Sequence, residues 1–244
     1  QNGQTEKEET RLLDTVLPIL KETSRDLSVY DIGANIGYYG LLAAKLYGAK
    51  VESFEPLEEY SSCIKKSCSL NTLGDRLRIH EIALSDKKGQ FQFTKAGSGS
   101  SLEENFNELP DLKKIHIQTD TLDSVYESNN FDEPDFIKID VEGHELSMLR
   151  GGKEVISKTH PVILLELCAT LKDIGRTYVN PYYKDTLEFF SLNHYEMYCI
   201  RENNQLEKWS SENTIDKAGM FLCLHTTKHT SLRDVLVSHY KIID

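Results

Sequence analysis

The sequence predicts an α/β fold built on a doubly wound, mostly parallel sheet. Three observations predict it. Short apolar runs alternate with segments of helical periodicity through the first two thirds of the chain, the pattern of parallel strands joined by crossover helices. The run 161–166 (PVILLE) is apolar enough to be buried on both faces, as a central parallel strand is. Three predicted strands end in an acid, at Asp31, Glu55 and Asp140, which places three carboxylates along one sheet edge.

Residues 1–10 are polar and expected to fray. Leu12, Leu13, Val16, Leu17 and Leu20 share a helical face, with Pro18 expected to bend or end the helix. Residues 28–32 form the first strand. Gly33-Ala34-Asn35-Ile36-Gly37 then turns into a helix marked by Tyr39, Leu42, Ala43 and Leu46. Residues 51–55 form the second strand, and Pro56 opens the next helix at its favoured first position. Leu57, Tyr60 and Ile64 mark one face of that helix, which stops near 71–74. Residues 77–84 read as one strand, and 91–93 as an antiparallel strand after a turn at 85–89. Residues 95–111 are rich in Gly and Ser, then acidic, and read as a loop or lid.

Residues 115–119 form a strand, 121–125 start a short helix, and 134–140 form a further strand. The helix at 143–150 is stopped by Gly151-Gly152. After the buried strand, 169–183 read as a loop carrying Tyr178, Tyr182 and Tyr183. A helix at 186–192 follows. Strands at 195–200 and 219–224 are joined by a polar excursion containing Trp209, and a helix at 232–242 closes the chain. There is no repeat and no linker, so one domain is expected: an N-terminal helical cover (1–27), a cofactor-binding core (28–168) and a C-terminal part (169–244).

Composition narrows the class. With 244 residues, 39% hydrophobic and 27% charged, the chain can bury a good core. A net charge of −11, with no basic run, argues against a nucleic-acid substrate, because phosphate contacts supply most such affinity. No segment approaches the ~18 apolar residues of a membrane span. No signal-peptide pattern is visible, and Gln1 in place of a starting methionine points to a trimmed N-terminus. Five cysteines without a C-x-x-C pair read as reduced core thiols of a cytoplasmic protein. The eight histidines show no zinc spacing.

The chemistry gathers at two places. At the first, Gly33 permits a turn that a Cβ would block, and Gly37 lets the helix start lie close to strand or ligand. A dinucleotide fingerprint needs G-x-G-x-x-G, but Asn35 stands where the middle glycine belongs and would crowd a pyrophosphate. Asp31 instead suits a ligand with a positive end, such as the ammonium and sulfonium of S-adenosylmethionine. Glu55, 22 positions after Gly33, can accept both ribose hydroxyls of a nucleoside, and can also serve the start of the following helix. The second place is Asp140-Val141-Glu142-Gly143-His144-Glu145. Four titratable groups in six residues at a strand tip are costly unless solvated or used. Glu145 reads as a solvated helix face, His144 as either a cap or a catalytic group, and Asp140 and Glu142 as site residues.

Several segments together carry a family resemblance: residues 29–37 (VYDIGANIG), Phe54-Glu55-Pro56, Ala83-Leu84-Ser85-Asp86 with Gly89, 99–102 (GSSL), Thr121-Leu122-Asp123, 137–145 (IKIDVEGHE), and Leu149-Arg150-Gly151. In this order, over roughly 28–168, the chain resembles the FkbM family of S-adenosylmethionine-dependent methyltransferases. The Lys-Ile-Asp-Val-Glu-Gly segment is the specific part. The resemblance implies a Rossmann-like class I methyltransferase fold, usually of seven strands with the last antiparallel. It implies O-methylation of a hydroxyl on a sugar, polyketide or other natural product, with S-adenosylhomocysteine as coproduct. It places Asp31, Gly33, Asn35 and Gly37, with Ala34 between them, at the methionine part. Glu55 and the adjoining Pro56 would lie at the ribose, Ala83 and Leu84 at the adenine, and Asp140 beside the transferred methyl.

Because the cofactor brings the reactive group, the protein must position the acceptor and take its proton. His144 has the most suitable ordinary pKa, and Asp140 or Glu142 could orient it or act instead. Glu166, at the tip of the buried strand, is a further carboxylate near the acceptor. Asp140, Glu142 and Glu166 could alternatively hold a divalent metal, the less favoured reading because no close acidic pair appears in the segment. Loops 95–111 and 169–183 are expected to form the acceptor pocket, with Ser100, Ser101, Tyr178 and Tyr182 as its contacts. The expected partner is a small molecule or glycan. Two other classes compete: a methyltransferase-like binding protein without catalysis, and a nicotinamide-dependent oxidoreductase.

Overall fold

The structure, a computed structural model, describes residues 7–24, 26–95, 100–102, 112–173, 176–210, 212–215 and 218–243. In chain order the elements are α1 (Lys7–Thr23), β1 (Ser28–Ile32), α2 (Tyr38–Tyr47), β2 (Lys50–Phe54), α3 (Glu58–Asn71), β3 (Leu77–His80), β4 (Ala83–Leu84), β5 (Gly89–Lys95), β6 (Lys113–Asp120), α4 (Leu122–Asn129) and β7 (Phe136–Ile139). There follow α5 (Glu145–Gly151), α6 (Lys153–Thr159), β8 (Val162–Leu167), β9 (Thr170–Asp173), β10 (Arg176–Val179), α7 (Tyr183–Leu192), β11 (Tyr195–Arg201), β12 (Gln205–Trp209), β13 (Gly219–His225), α8 (Thr230–His239) and β14 (Lys241–Ile243).

The main sheet runs β14-β12-β11-β13-β8-β7-β1-β2-β3. Strands β3, β2, β1, β7 and β8 are parallel, and β13 inserts antiparallel between β8 and β11. This is the expected doubly wound class I methyltransferase sheet. The strand order reverses between β1 and β7, so a crevice opens there above the carboxyl ends of the strands. Alternation along each strand supplies two cores: Tyr30, Ile32, Ile163 and Leu165 face α4–α7, while Val29, Val162 and Leu164 face α1, α2 and α8.

Several elements depart from the sequence reading. The seven-strand sheet is extended by β12, antiparallel to β11, and β14, parallel to β12, giving nine strands among the described residues. β12 lies in the polar excursion: its buried Leu206 and Trp209 face opposite sides of the sheet among Gln205, Glu207 and Lys208, so its hydropathy does not announce it. The expected closing helix ends at His239, and its last residues become β14. The expected strand 77–84 divides, because Glu81 is drawn to Ser61 and Lys65 of α3, 2.5 and 2.7 Å away. Its second half, β4, then joins β6 and β5 in a separate small sheet. The expected loop 169–183 contains the hairpin β9–β10, and α7 starts at Tyr183. Pro56 does not open α3; Leu57 is its N-cap.

α1 runs through Pro18 to Thr23. A proline inside a helix costs about 3 kcal/mol. Five buried side chains on that helix, Leu12, Leu13, Val16, Leu17 and Leu20, are worth roughly 1.5–3 kcal/mol each, so packing wins. Most of the predicted lid, 96–99 and 103–111, lies outside the described residues. Cys63 is exposed, not a core thiol, and the other four cysteines are buried.

Candidate active site

The turn after β1 is built by hydrogen bonds to its neighbours. Gly33 and Ala34 donate their N–H groups to the Phe54 carbonyl, at 3.1 and 3.0 Å. Gly33 has φ +72°, and a Cβ there would lie 1.8 Å from the Asp140 carbonyl oxygen, so only glycine lets the tips of β1 and β7 close together. Asn35 follows in the left-handed region, φ 51°, and its N–H donates to Glu55 Oε2 at 2.8 Å. Glu55 Oε1 accepts from the Leu57 N–H at 2.9 Å. Burial lifts the Glu55 carboxyl to about 7, against these two N–H groups and Lys138.

A cavity lies over the carboxyl ends of β1, β2 and β7. Gly33, Asn35, Glu55 and Pro56 form one side. Ala83, Leu84, Phe93 and Leu102 form an apolar wall, and Asp140, Val141, Glu142 and His144 close the third side. The apolar wall and the Glu55 carboxylate line the same cavity.

Asp31 is placed differently from the sequence expectation. It is fully buried beneath the turn, not in the cavity wall. Its Oδ2 accepts from the Gly40 N–H at 2.9 Å and its Oδ1 lies 3.9 Å from Lys138 Nζ. Burial raises its carboxyl above the usual range, with Lys138 and Gly40 opposing. Ala34 and Gly37 likewise stand behind the cavity; a Cβ on Gly37 (φ +82°) would meet Ile64 at 2.9 Å.

At the β7 tip the acids gather. Glu142 adopts φ 54°, unusual for a residue with a Cβ, and Gly143 follows at φ 93°. The segment is pinned by Ser101 Oγ, which donates to the Glu142 carbonyl at 2.6 Å, and by the Glu145 carboxylate, which accepts from the Gly143 N–H at 2.8 Å. Glu145 is therefore buried and structural, not a solvated helix face as its sequence position indicates. Asp140, Glu142 and Glu166 each bring a carboxylate oxygen within 4.8 Å of the others. Glu166 hydrogen-bonds Asp140, and burial together with that carboxylate holds Glu166 well above its usual range. Burial, Asp140 and Glu145 raise Glu142 to about 8. Burial pushes Asp140 up too, but Lys138 at 3.1 Å and the Glu166 bond outweigh it, so Asp140 stays ionised.

His144 sits at the N-cap of α5, and its Nε2 is 2.9 Å from Ser85 Oγ, on the side of the cavity next to Leu84. Ser100 lines the same cavity. Ser101 is buried behind it. Tyr178 packs on Cys168, and Tyr182 is partly exposed ahead of α7; neither lines the cavity. Asp140 also lines a second, larger groove of about 2130 Å³, whose walls include Glu166, Tyr39, Met220, Arg201 and Glu8. The C-terminal strands and α1 thus wall the groove that adjoins the first cavity.

The family model for the methyltransferase FkbM domain matches residues 31–197. The chain belongs to the FkbM methyltransferase family. It is 25% identical, over 151 residues, to the hexuronic acid methyltransferase AglP of Haloferax volcanii, covering 62% of this chain and 60% of that one. It is 30% identical, over 100 residues, to the 2-O-methyltransferase NoeI of Sinorhizobium fredii, covering 35% of this chain and 41% of that one. The matched stretch therefore spans less than two thirds of either relative. Among solved structures, a methyltransferase FkbM from Methylobacillus flagellatus shares the fold with TM-score 0.50 and 18% identity, over 81% of this chain and 43% of that one. Membership of an FkbM methyltransferase family implies S-adenosylmethionine as the methyl donor. The glycine cradle, the apolar slot and Glu55 fit that group.

One residue to which the sequence reading gave no role, although it opens the Lys-Ile-Asp-Val-Glu-Gly segment, is Lys138. Its side chain is only 3% exposed, and its ammonium reaches Asp31, Asp140 and the Gly33 carbonyl. The available signal was a lysine inside the apolar run of a central strand, a place charge avoids unless it is paired.

Proposed function

We propose that this FkbM-family protein transfers the methyl group of S-adenosylmethionine to a hydroxyl of a sugar-containing acceptor. The observation that carries the reading is Asp140, which lines both the cavity beside Glu55 and the larger groove. A methyl group held at that junction faces an acceptor in the groove. Two similar proteins bear names of sugar or O-methyl transfer, which supports the acceptor class.

When bound, S-adenosylmethionine supplies an electrophilic methyl on a sulfonium. In this reading the residues have the following roles. The Gly33–Asn35 turn holds the methionine part, with Asp31 fixing the turn from below. Glu55 accepts the ribose hydroxyls, and Ala83 and Leu84 bound the adenine, with His144 held against Ser85 in the same wall. Asp140 and Glu166 meet the acceptor hydroxyl. The Asp140 carboxylate orients that hydroxyl and takes its proton as the carbon–oxygen bond forms, and Glu142 at its side can pass the proton on. The core spans 28–168 and gives the acceptor groove Tyr39, Asp140 and Glu166, while α1 and the C-terminal strands supply its other walls. Tyr178 and Tyr182 lie outside the acceptor contacts.

Calorimetric titration with S-adenosylhomocysteine, run beside NADH, tests the cofactor. Saturable binding of the first, lost in Glu55→Ala, is expected; binding of NADH instead overturns the reading. Mass spectrometry of a glycan panel incubated with protein and trideuteromethyl-labelled donor then tests transfer. Cofactor binding without label on any acceptor would favour the non-catalytic alternative.

A further inference from the structure

Asp140, Glu142 and Glu166 have the ligand number and spacing for a divalent ion, yet a charge of opposite sign already stands 3.1 Å from one of them, Asp140. We infer that Lys138 is the resident cation of this site: its buried ammonium holds the glycine turn and Asp140 together and fills the electrostatic place of a metal. The inference rests on the site assignment above.

The sheet register explains the arrangement. Lys138 lies beside Asp31 in the parallel pairing of β7 with β1. Asp140, two residues further along, emerges on the same face. The ammonium donates to the Gly33 carbonyl at 2.9 Å, lies 3.1 Å from Asp140 Oδ2 and 3.9 Å from Asp31 Oδ1, and sits 5.4 Å from the centre of the Tyr39 ring. Four partners, from β1, the turn after it, the tip beyond β7 and α2, thus converge on one charge. A buried ammonium is costly without such partners. Its acids keep it charged: Asp140 and Asp31 more than offset the opposing effect of burial. A divalent ion bound through Asp140 would meet this fixed positive charge at short range, and repulsion there is barely screened. Lys138 is a positioning residue: it acts by fixing Asp140 and the turn.

The test uses the full chain as wild type, Lys138→Met and Lys138→Arg. Calorimetry with S-adenosylhomocysteine reports separately on the cofactor reading, so its failure is visible by itself. Mn²⁺ is then titrated and the free ion read by electron paramagnetic resonance. The wild type and Lys138→Arg are expected to leave the ion free. Lys138→Met is expected to bind it about tenfold or more tightly than wild type, and the added change Glu166→Gln should remove that gain. A purely structural lysine would not create a metal site when neutralised. Saturable Mn²⁺ binding by the wild type that Asp140→Asn removes overturns the proposal. So does a Lys138→Met protein that melts cooperatively and binds no more ion than wild type. If Lys138→Met does not fold, Lys138→Gln replaces it. If neither neutral variant folds, the wild type and Asp140→Asn decide: saturable Mn²⁺ binding that Asp140→Asn removes overturns the proposal, and no binding by the wild type upholds it.

Discussion

Cofactor affinity should depend on pH through Glu55. The carboxyl is buried, lies at about 7, and accepts N–H bonds from Asn35 and Leu57. Ribose hydroxyls donate to a carboxylate far better than to a neutral acid, so the ionised form is the binding form. Its pKa is raised, so competence is present above pH 7 and is lost as pH falls. With a pKa of about 7, the apparent dissociation constant scales as one plus the proton excess. It rises about tenfold from pH 8 to pH 6, or ~1.4 kcal/mol. A carboxyl with an ordinary pKa would show no change over that range. The assay is calorimetric titration of S-adenosylhomocysteine from pH 8.5 to 5.5, on wild type and Glu55→Gln. Glu142, at about 8, titrates nearby and would act in both proteins, so the difference between the two profiles isolates Glu55. Glu55→Gln should bind more weakly at pH 8, by roughly 1.5–3 kcal/mol for the lost charged acceptor, and lose the tenfold slope. A flat wild-type profile, or the same slope in the variant, would refute the argument.

Gly33→Ala should abolish cofactor binding and lower the melting temperature, because the new methyl group meets the Asp140 carbonyl at 1.8 Å and the left-handed backbone adds about 1–2 kcal/mol; normal binding by a folded Gly33→Ala would show that the turn relaxes freely. His229 is buried, its Nδ1 accepts the His225 N–H at 2.9 Å, and burial, Lys228, His225, His160 and Arg233 lower it to about 3. A depressed histidine stabilises the fold above its unfolded pKa of about 6.5 and loses that contribution as pH falls. Between pH 7.5 and 5 the loss is about 2 kcal/mol, or roughly 4–8 °C of melting temperature. The raised acids Glu55 and Glu142 act in the opposite direction, so the quantity to read is the wild-type shift minus that of His229→Gln; equal shifts in both would exclude His229. Thr121→Ala should cost α4 about 1 kcal/mol, since the Thr121 hydroxyl caps the Ser124 N–H at 3.1 Å. Urea unfolding should show a lower midpoint at unchanged slope, and an unmoved midpoint would mean that the cap is idle.

Much of the fold and the placement of residues around the cavity was legible because it rests on local rules. The strand–turn–helix at Gly33–Gly37 needs positive φ at two glycines, and both have it. The Thr121 cap, the buried strand at 162–167 and the acids at the strand tips follow from propensity and alternation over a few residues. The reading was weaker where a residue's role depends on a distant partner. Glu145 looks like an exposed helix acid until the Gly143 N–H is found beside it, and His144 looks like a free base until Ser85, 59 positions earlier, is found at 2.9 Å.

Hydropathy period, glycine and the sign of each strand-end residue settle where the chain turns, which strands are central and where polar groups emerge, because these are short-range steric and solvation effects. Which carboxylates meet is decided by register between strands. Lys138 and Asp31 are 107 positions apart in sequence but adjacent in the ladder, and Asp140 and Glu166 meet only because β7 lies against β8. Whether Asp31 lines a cavity or supports it, and whether three acids share protons, a metal or a lysine, depends on burial and charge at distances of 3–4 Å. Those distances exist only once the strands have paired, and no pattern along one strand encodes them.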